Sequence, residues 1–133
     1  MEGREGTVQP GEKDEYDAAL KRFQGGDFKG AGNQFSAFVK KYPQSPYLPL
    51  AQFWLGNALY AQRDYKGSSY VLESMARANP QHPKAADALL QVATNQGESG
   101  QKAAARKTLE AVVAQYPGSE QAKTAESRLK TMR

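Results

Sequence analysis

An all-α solenoid of tandem helical pairs is the fold class that the sequence predicts, and three observations carry it. They are prolines at equal spacing, apolar ladders of helical period between them, and turn residues that divide each interval in two. The strings Tyr42-Pro43-Gln44-Ser45, Asn79-Pro80-Gln81-His82 and Tyr116-Pro117-Gly118-Ser119 put their prolines at 43, 80 and 117, so both intervals are 37 residues. The same shift superposes Asp27-Phe28 on Asp64-Tyr65, Phe35 on Leu72 and Leu109, and Phe38 on Met75 and Val112. Whole structural units recur, in repeats of about 13–45, 46–82 and 83–119.

Each unit reads as two helices. The first helices carry Tyr16, Ala19, Leu20 and Phe23, then Phe53 to Tyr60, then Leu89, Leu90, Val92 and Ala93. The second helices carry ladders at i, i+4, i+7, i+8 and i+11: Ala31, Phe35, Phe38, Val39 and Tyr42, repeated as Ala105, Leu109, Val112, Val113 and Tyr116. Turn chemistry separates the members of each pair at Gly25-Gly26-Asp27, Arg63-Asp64 and Gly97-Glu98-Ser99-Gly100. Between units, a proline stop precedes Ser45-Pro46, His82-Pro83 and Ser119-Glu120, which resemble N-caps with a first-turn residue. Pro49 leaves two starts open for the second unit, Ser45 or a point near Leu48. Residues 120–133, with Ala122, Ala125, Leu129 and Met132 on one side, read as a capping helix, the seventh. Residues 1–12 lack periodicity and read as a flexible linker or an expression remnant ahead of a single domain at 13–133.

Composition narrows the function classes. The 133 residues contain no Cys and one His, His82, which removes thiolate chemistry and multi-histidine metal sites and disfavours a Ser/His/Asp triad. No stretch approaches the roughly 20 apolar residues of a membrane span. Residues 1–11 also lack the apolar core of a signal peptide, so the chain as given is expected neither to insert nor to direct its own export. The 18 Lys and Arg residues against 14 Asp and Glu give a net charge of +4, concentrated in residues 101–133. There Lys123, Arg128, Lys130 and Arg133 alternate with Glu120 and Glu126, and no aromatic follows Tyr116 to stack on bases. A solvated cap is expected, not a nucleic-acid surface.

His82 near Glu73 or Asp87 is the best catalytic material, yet it occupies the loop position of Ser45 and Ser119 and reads as a cap. Asp14, Glu15 and Asp17 suit the positive end of a helix dipole, and Gly97-Glu98-Ser99-Gly100 lacks the lysine and serine of a phosphate loop. No catalytic residue, metal or cofactor is expected.

The second unit carries Leu55-Gly56-Asn57-Ala58-Leu59-Tyr60, Asp64-Tyr65, a small residue at Ser68 and a closing Pro80. This resembles the tetratricopeptide repeat (TPR), with a period of 37 instead of about 34 and Gln52 where the repeat favours Trp. The loop wording is more specific: Tyr42-Pro43-Gln44-Ser45-Pro46-Tyr47-Leu48-Pro49, Phe53-Trp54-Leu55-Gly56, Pro83-Lys84-Ala85-Ala86-Asp87-Ala88 and Tyr116-Pro117-Gly118-Ser119. From about Glu15 onward the chain is similar to the C-terminal TPR domain of the YbgF/CpoB family, periplasmic proteins of the Tol–Pal cell-envelope system. Outer-membrane assembly lipoproteins share this style of repeat, and a TPR scaffold of that type is the alternative.

The resemblance implies a domain excised from a longer periplasmic protein that trimerises through an N-terminal coiled coil. It also implies an adaptor that binds TolA, and a peptidoglycan synthase as a possible second partner, to coordinate peptidoglycan synthesis with outer-membrane constriction at division. With Gly56 setting the register, TPR geometry points Tyr16, Phe53 and Leu90, then Leu20, Asn57 and Thr94, then Phe23 and Tyr60 into a concave groove. Ala19, Gly56 and Ala93 are expected at the tight contact with each unit's second helix. Twelve of the 13 aromatics precede residue 71, so the groove's anchors are expected toward the N-terminal side. The basic pair that clamps a terminal carboxylate in chaperone-binding TPRs has no counterpart, since Leu20 and Phe53 stand at such positions, and an internal amphipathic segment is the expected ligand.

Overall fold

The computed structural model describes residues 9–132, and the expectation of a linker over residues 1–8 lies outside them. Among the described residues seven helices follow one another: α1 (Glu12–Gln24), α2 (Phe28–Lys41), α3 (Leu48–Ala61), α4 (Tyr65–Ala78), α5 (Ala85–Glu98), α6 (Lys102–Gln115) and α7 (Glu120–Thr131). Every helix packs on its sequence neighbours. In addition α1 approaches α3, α3 approaches α5 and α5 approaches α7, whereas α2, α4 and α6 have no such approaches to one another. Spacing is therefore tighter along the odd-numbered layer, which makes it the inner wall of a curved stack.

The repeat is kept at the level of single hydrogen bonds. Gly26, Arg63 and Gly100, each one period apart, adopt left-handed backbone at φ 88°, 65° and 79°. The next residues, Asp27, Asp64 and Gln101, donate their backbone N–H to the carbonyls of Arg22, Leu59 and Gln96 at 2.9, 2.9 and 2.8 Å. That is a Schellman closure of each first helix. Asp27 and Asp64 then cap the second helices, accepting from the N–H of Gly30 and Gly67 at 2.9 Å each. This backbone donor, followed by the Arg22 guanidinium at 2.7 Å, holds the Asp27 carboxyl below its ordinary pKa.

Arg63 alone places a side chain on the left-handed position. Left-handed backbone costs a non-glycine residue about 1–2 kcal/mol, and glycine's extra freedom in the unfolded chain offsets about 0.5–1 of that on replacement. Arg63→Gly is accordingly expected to stabilise the chain by roughly 0.5–1 kcal/mol, read as a higher urea midpoint with an unchanged slope.

Of the two starts left open for the second unit, the one at Leu48 is observed, and the expected caps differ at two of the three inter-unit starts. Ser45 and His82 do not cap α3 and α5. The Ser45 hydroxyl oxygen accepts from the Tyr47 N–H at 2.9 Å, and His82 Nδ1 accepts from the Lys84 N–H at 3.0 Å. Each closes a separate turn, and the helix begins three residues later, at Leu48 and Ala85. Pro49 then falls in the first turn of α3, where its missing N–H has no helical partner to lose. Ser119, followed by Glu120 where the others have proline, caps α7 directly by accepting from the Ala122 N–H at 2.9 Å.

The core divides along the stack. Tyr16, Ala19, Ala31, Phe35, Phe38 and Tyr42 form the first cluster with parts of α3. Phe53, Leu72, Met75 and Val92 lead the second. Ala93, Leu109, Val112 and Ala125 make the third. Ala19 and Ala93 are buried as expected of the close-contact positions, and at Gly56 an added Cβ would overlap Leu72 Cγ and lie 2.5 Å from its Cδ2. Two buried polar contacts cross between elements. Glu12, fully buried, accepts from the Ser45 hydroxyl and from the Gln9 N–H, the latter at 2.8 Å. α1 thus takes in the last residue of the segment expected to be linker. Asn95 of α5 donates to the hydroxyls of Ser68 and Ser69 on α4 at 2.9 and 3.1 Å.

Candidate functional site

The inner wall is where a solenoid of this kind can hold another chain, and α1 and α3 bring most of the aromatic surface to it. The structure separates the eight expected groove residues into two groups. Tyr16 and Phe53 are 7% and 9% exposed and belong to the core between consecutive units. Tyr16 meets Phe35 and Phe38 edge-on at 5.9 and 6.0 Å, stacks on Tyr47 at 5.0 Å, and accepts a hydrogen bond from Trp54 Nε1 at 3.2 Å. Burial pushes the Tyr16 phenol above its ordinary pKa, with the Trp54 donor opposing. Phe53 packs in the second cluster beneath the Lys84 ammonium, 5.5 Å from the ring centre. The expectation that these two rings line an open trough is corrected. A first helix must satisfy both its own partner helix and the next unit, and these rings serve both contacts: Tyr16 meets α2 as well as Tyr47 and Trp54, and Phe53 clusters with Leu72 and Met75 of α4 as well as with Val92 of α5.

Leu20, Phe23, Asn57, Tyr60, Leu90 and Thr94 remain half-buried. Phe23 lies against Phe28 at 5.1 Å and against Trp54 at 5.2 Å, which joins α1 to α3 at the wall. Tyr60 packs on Tyr65 at 5.8 Å. One Asn57 N–H is held by the Phe53 carbonyl at 2.8 Å, one turn back in its own helix. The side-chain carbonyl, the acceptor half of the amide, is not engaged by that bond. Leu20 and Phe23 on α1 and Trp54, Asn57 and Tyr60 on α3 are thus partly exposed residues of two neighbouring inner-layer helices, which the Phe23–Trp54 contact joins.

The third unit is different. Thr94 donates to the Leu90 carbonyl at 3.2 Å and accepts from Arg128 Nη1 at 3.0 Å, and the same nitrogen reaches the Leu90 carbonyl at 3.4 Å. The row expected to be free there is thus engaged by α7. Sequence reasoning missed Trp54 and Arg128 as site residues. The 37-residue period held the signal, because both occupy one repeat position together with Gln91.

Stacked helical pairs with a layer of first helices along the inside define a TPR-type α-solenoid. The comparisons agree. The chain matches the YfiO family model, described as outer membrane lipoprotein, over residues 9–133, and it belongs to that family. It is 44% identical over 63 residues to the cell division coordinator CpoB of Pseudomonas putida strain KT2440, a match covering 44% of this chain. That match spans 24% of the relative's length. Among solved structures, the Yersinia enterocolitica type III secretion translocator chaperone SycD superposes with a TM-score of 0.74 at 18% identity, covering 94% of this chain and 90% of SycD. The second TPR domain of human RPAP3, solved with an HSP70 peptide, gives a TM-score of 0.70 at 18% identity over 88% of this chain and 92% of that one.

Proposed function

We infer that the chain is a noncatalytic, protein-binding adaptor of the Tol–Pal system in the periplasm. Its inner face captures a segment of TolA, and it helps to couple peptidoglycan synthesis to outer-membrane constriction during division. The observation that carries this reading is the partial exposure of Leu20, Phe23, Trp54, Asn57 and Tyr60 on the neighbouring helices α1 and α3, joined by the Phe23–Trp54 contact. Aromatic anchors beside a hydrogen-bonding amide suit a peptide or helix laid along a groove. The likeness to CpoB supports the choice of system. A noncatalytic role is supported by the engagement of the sole histidine, His82, in a turn, where its Nδ1 accepts from the Lys84 N–H. The reading extends to trimerisation of the natural polypeptide through an N-terminal coiled coil and to a peptidoglycan synthase as a possible second partner.

Calorimetric titration with the periplasmic segments of TolA tests the reading. Asn57→Ala combined with Tyr60→Ala is expected to weaken binding by about tenfold or more, as loss of interface anchors does, with the melting temperature nearly unchanged. Loss of stability in step with binding would make those side chains core. Silence with the parent chain would remove the TolA assignment.

The family description favours one other reading, an outer-membrane assembly scaffold carried by a lipoprotein. The two differ in the natural polypeptide's N-terminal chemistry, an acylated cysteine for the scaffold and heptads for the adaptor.

A further inference from the structure

In the first two units, an aromatic ring near the end of the first helix packs on a ring at the start of the second. The pairs are Phe23 with Phe28 at 5.1 Å and Tyr60 with Tyr65 at 5.8 Å. One period further on, the same two positions hold Gly97 and Lys102. No ring fills that slot. A hollow of about 420 Å³ opens there between α5, α6 and α7, and a Cβ added at Gly97 or Gly100 would touch nothing within 4 Å. Its apolar lining comes from Ala93, Ala105, Leu109 and Met132. Its remaining lining includes two cations, Lys102 and Arg128, and Thr94 and the Leu90 carbonyl fix the Arg128 guanidinium in place. The ion pairs of the described residues involve neither of these cations.

We propose that this hollow is a socket for an aromatic side chain of a partner polypeptide, flanked in that partner by carboxylates. The slot is one that the chain itself fills with rings in its other two units, so its shape suits a planar apolar group. Lys102 and Arg128 supply the charge that an Asp or Glu beside the ring would meet, with the guanidinium as a directional donor. The volume falls in the range of small-ligand sites, about 300–1,000 Å³. The socket lies in the third unit, apart from the α1–α3 face, and does not depend on the TolA reading.

The test uses the whole chain and three capped tripeptides, Asp-Phe-Glu, Asp-Ala-Glu and Lys-Phe-Lys, followed through the backbone amide resonances of Gly97 and Gly100. Asp-Phe-Glu is expected to shift both resonances saturably, and the other two peptides are expected to leave them in place. Gly97→Tyr supplies the ring within the chain and is expected to abolish the response at Gly100. Arg128→Gln keeps the hollow and is expected to weaken binding about tenfold, the scale of one charge-assisted hydrogen bond. An equal response to Asp-Ala-Glu or Lys-Phe-Lys, or no response to Asp-Phe-Glu, would overturn the proposal. So would shifts at Gly97 and Gly100 that appear on raising the protein concentration alone, which would assign the hollow to a second copy of the chain.

Discussion

Phe35→Ala is expected to destabilise the chain by about 3–5 kcal/mol, the range for truncating a buried aromatic. Phe35 has no exposed surface, meets the Tyr16 ring edge-on at 5.9 Å and shares its cluster with Ala19, Ala31 and Phe38. Ala19 and Ala31 have no atoms to extend into the space, so collapse around it is limited. The residue one period on, Leu72, packs in a separate cluster. Damage at Phe35 should therefore first loosen α1 and α2 while α4 to α6 stay folded. A urea titration followed by far-ultraviolet circular dichroism should show an early, shallow loss of helix ahead of the main transition. A single sharp transition displaced by less than about 1 kcal/mol would contradict the packing described, given the cost of such truncations.

The second large effect concerns the approach of α3 to α4. Gly56→Ala improves helix propensity by about 1 kcal/mol, yet its methyl group would overlap a leucine that has no exposed surface. Overpacking of this kind costs about 1–3 kcal/mol. The overlap here involves Cγ and both terminal methyls of Leu72, which places the cost at the upper end and leaves a net loss of roughly 2 kcal/mol. Leu72→Ala alone is expected to lose about 2–5 kcal/mol through the cavity it leaves. Combined, the two substitutions should cost at least about 1 kcal/mol less than their sum, because the methyl group occupies space that the leucine vacated. Additive losses would show that the helices do not meet at this point. Denaturant titrations of the parent, both single variants and the pair supply the cycle.

Much of the architecture was legible because it is written in local periods. The 37-residue shift and the ladder from Ala31 to Tyr42 locate the helices and their buried stripes without any knowledge of neighbours. Gly56 likewise marks a close approach that only a residue without a side chain permits. The site was less legible. α3 is apolar nearly all round, at Phe53, Trp54, Leu55, Ala58, Leu59 and Tyr60, so its pattern does not say which ring faces inward. Tyr16 and Phe53 were expected at an open surface because the family register points them there. Their own partner helices and the next unit together cover them, and those contacts are between residues distant in sequence. Arg128 was read as one more solubilising charge on a cap, since its hydrogen bonds to Thr94 and Leu90 join residues more than 30 positions apart. Glu12 was masked in the same way. A carboxylate in a polar stretch resembles linker until Ser45 is folded against it.

The clusters also differ in content, from Tyr16, Phe35, Phe38 and Tyr42 at one end to Ala93, Leu109, Val112 and Ala125 at the other. Ring-filled interiors resist opening more than those built of alanine and short aliphatics. Contacts run only between adjacent parts of the stack, so this contrast is not averaged over the molecule. Local opening is therefore expected to be rarer in the first unit than in the third, a difference that amide hydrogen exchange would read. Partner binding in the third unit would then be expected to slow exchange there more than in the first.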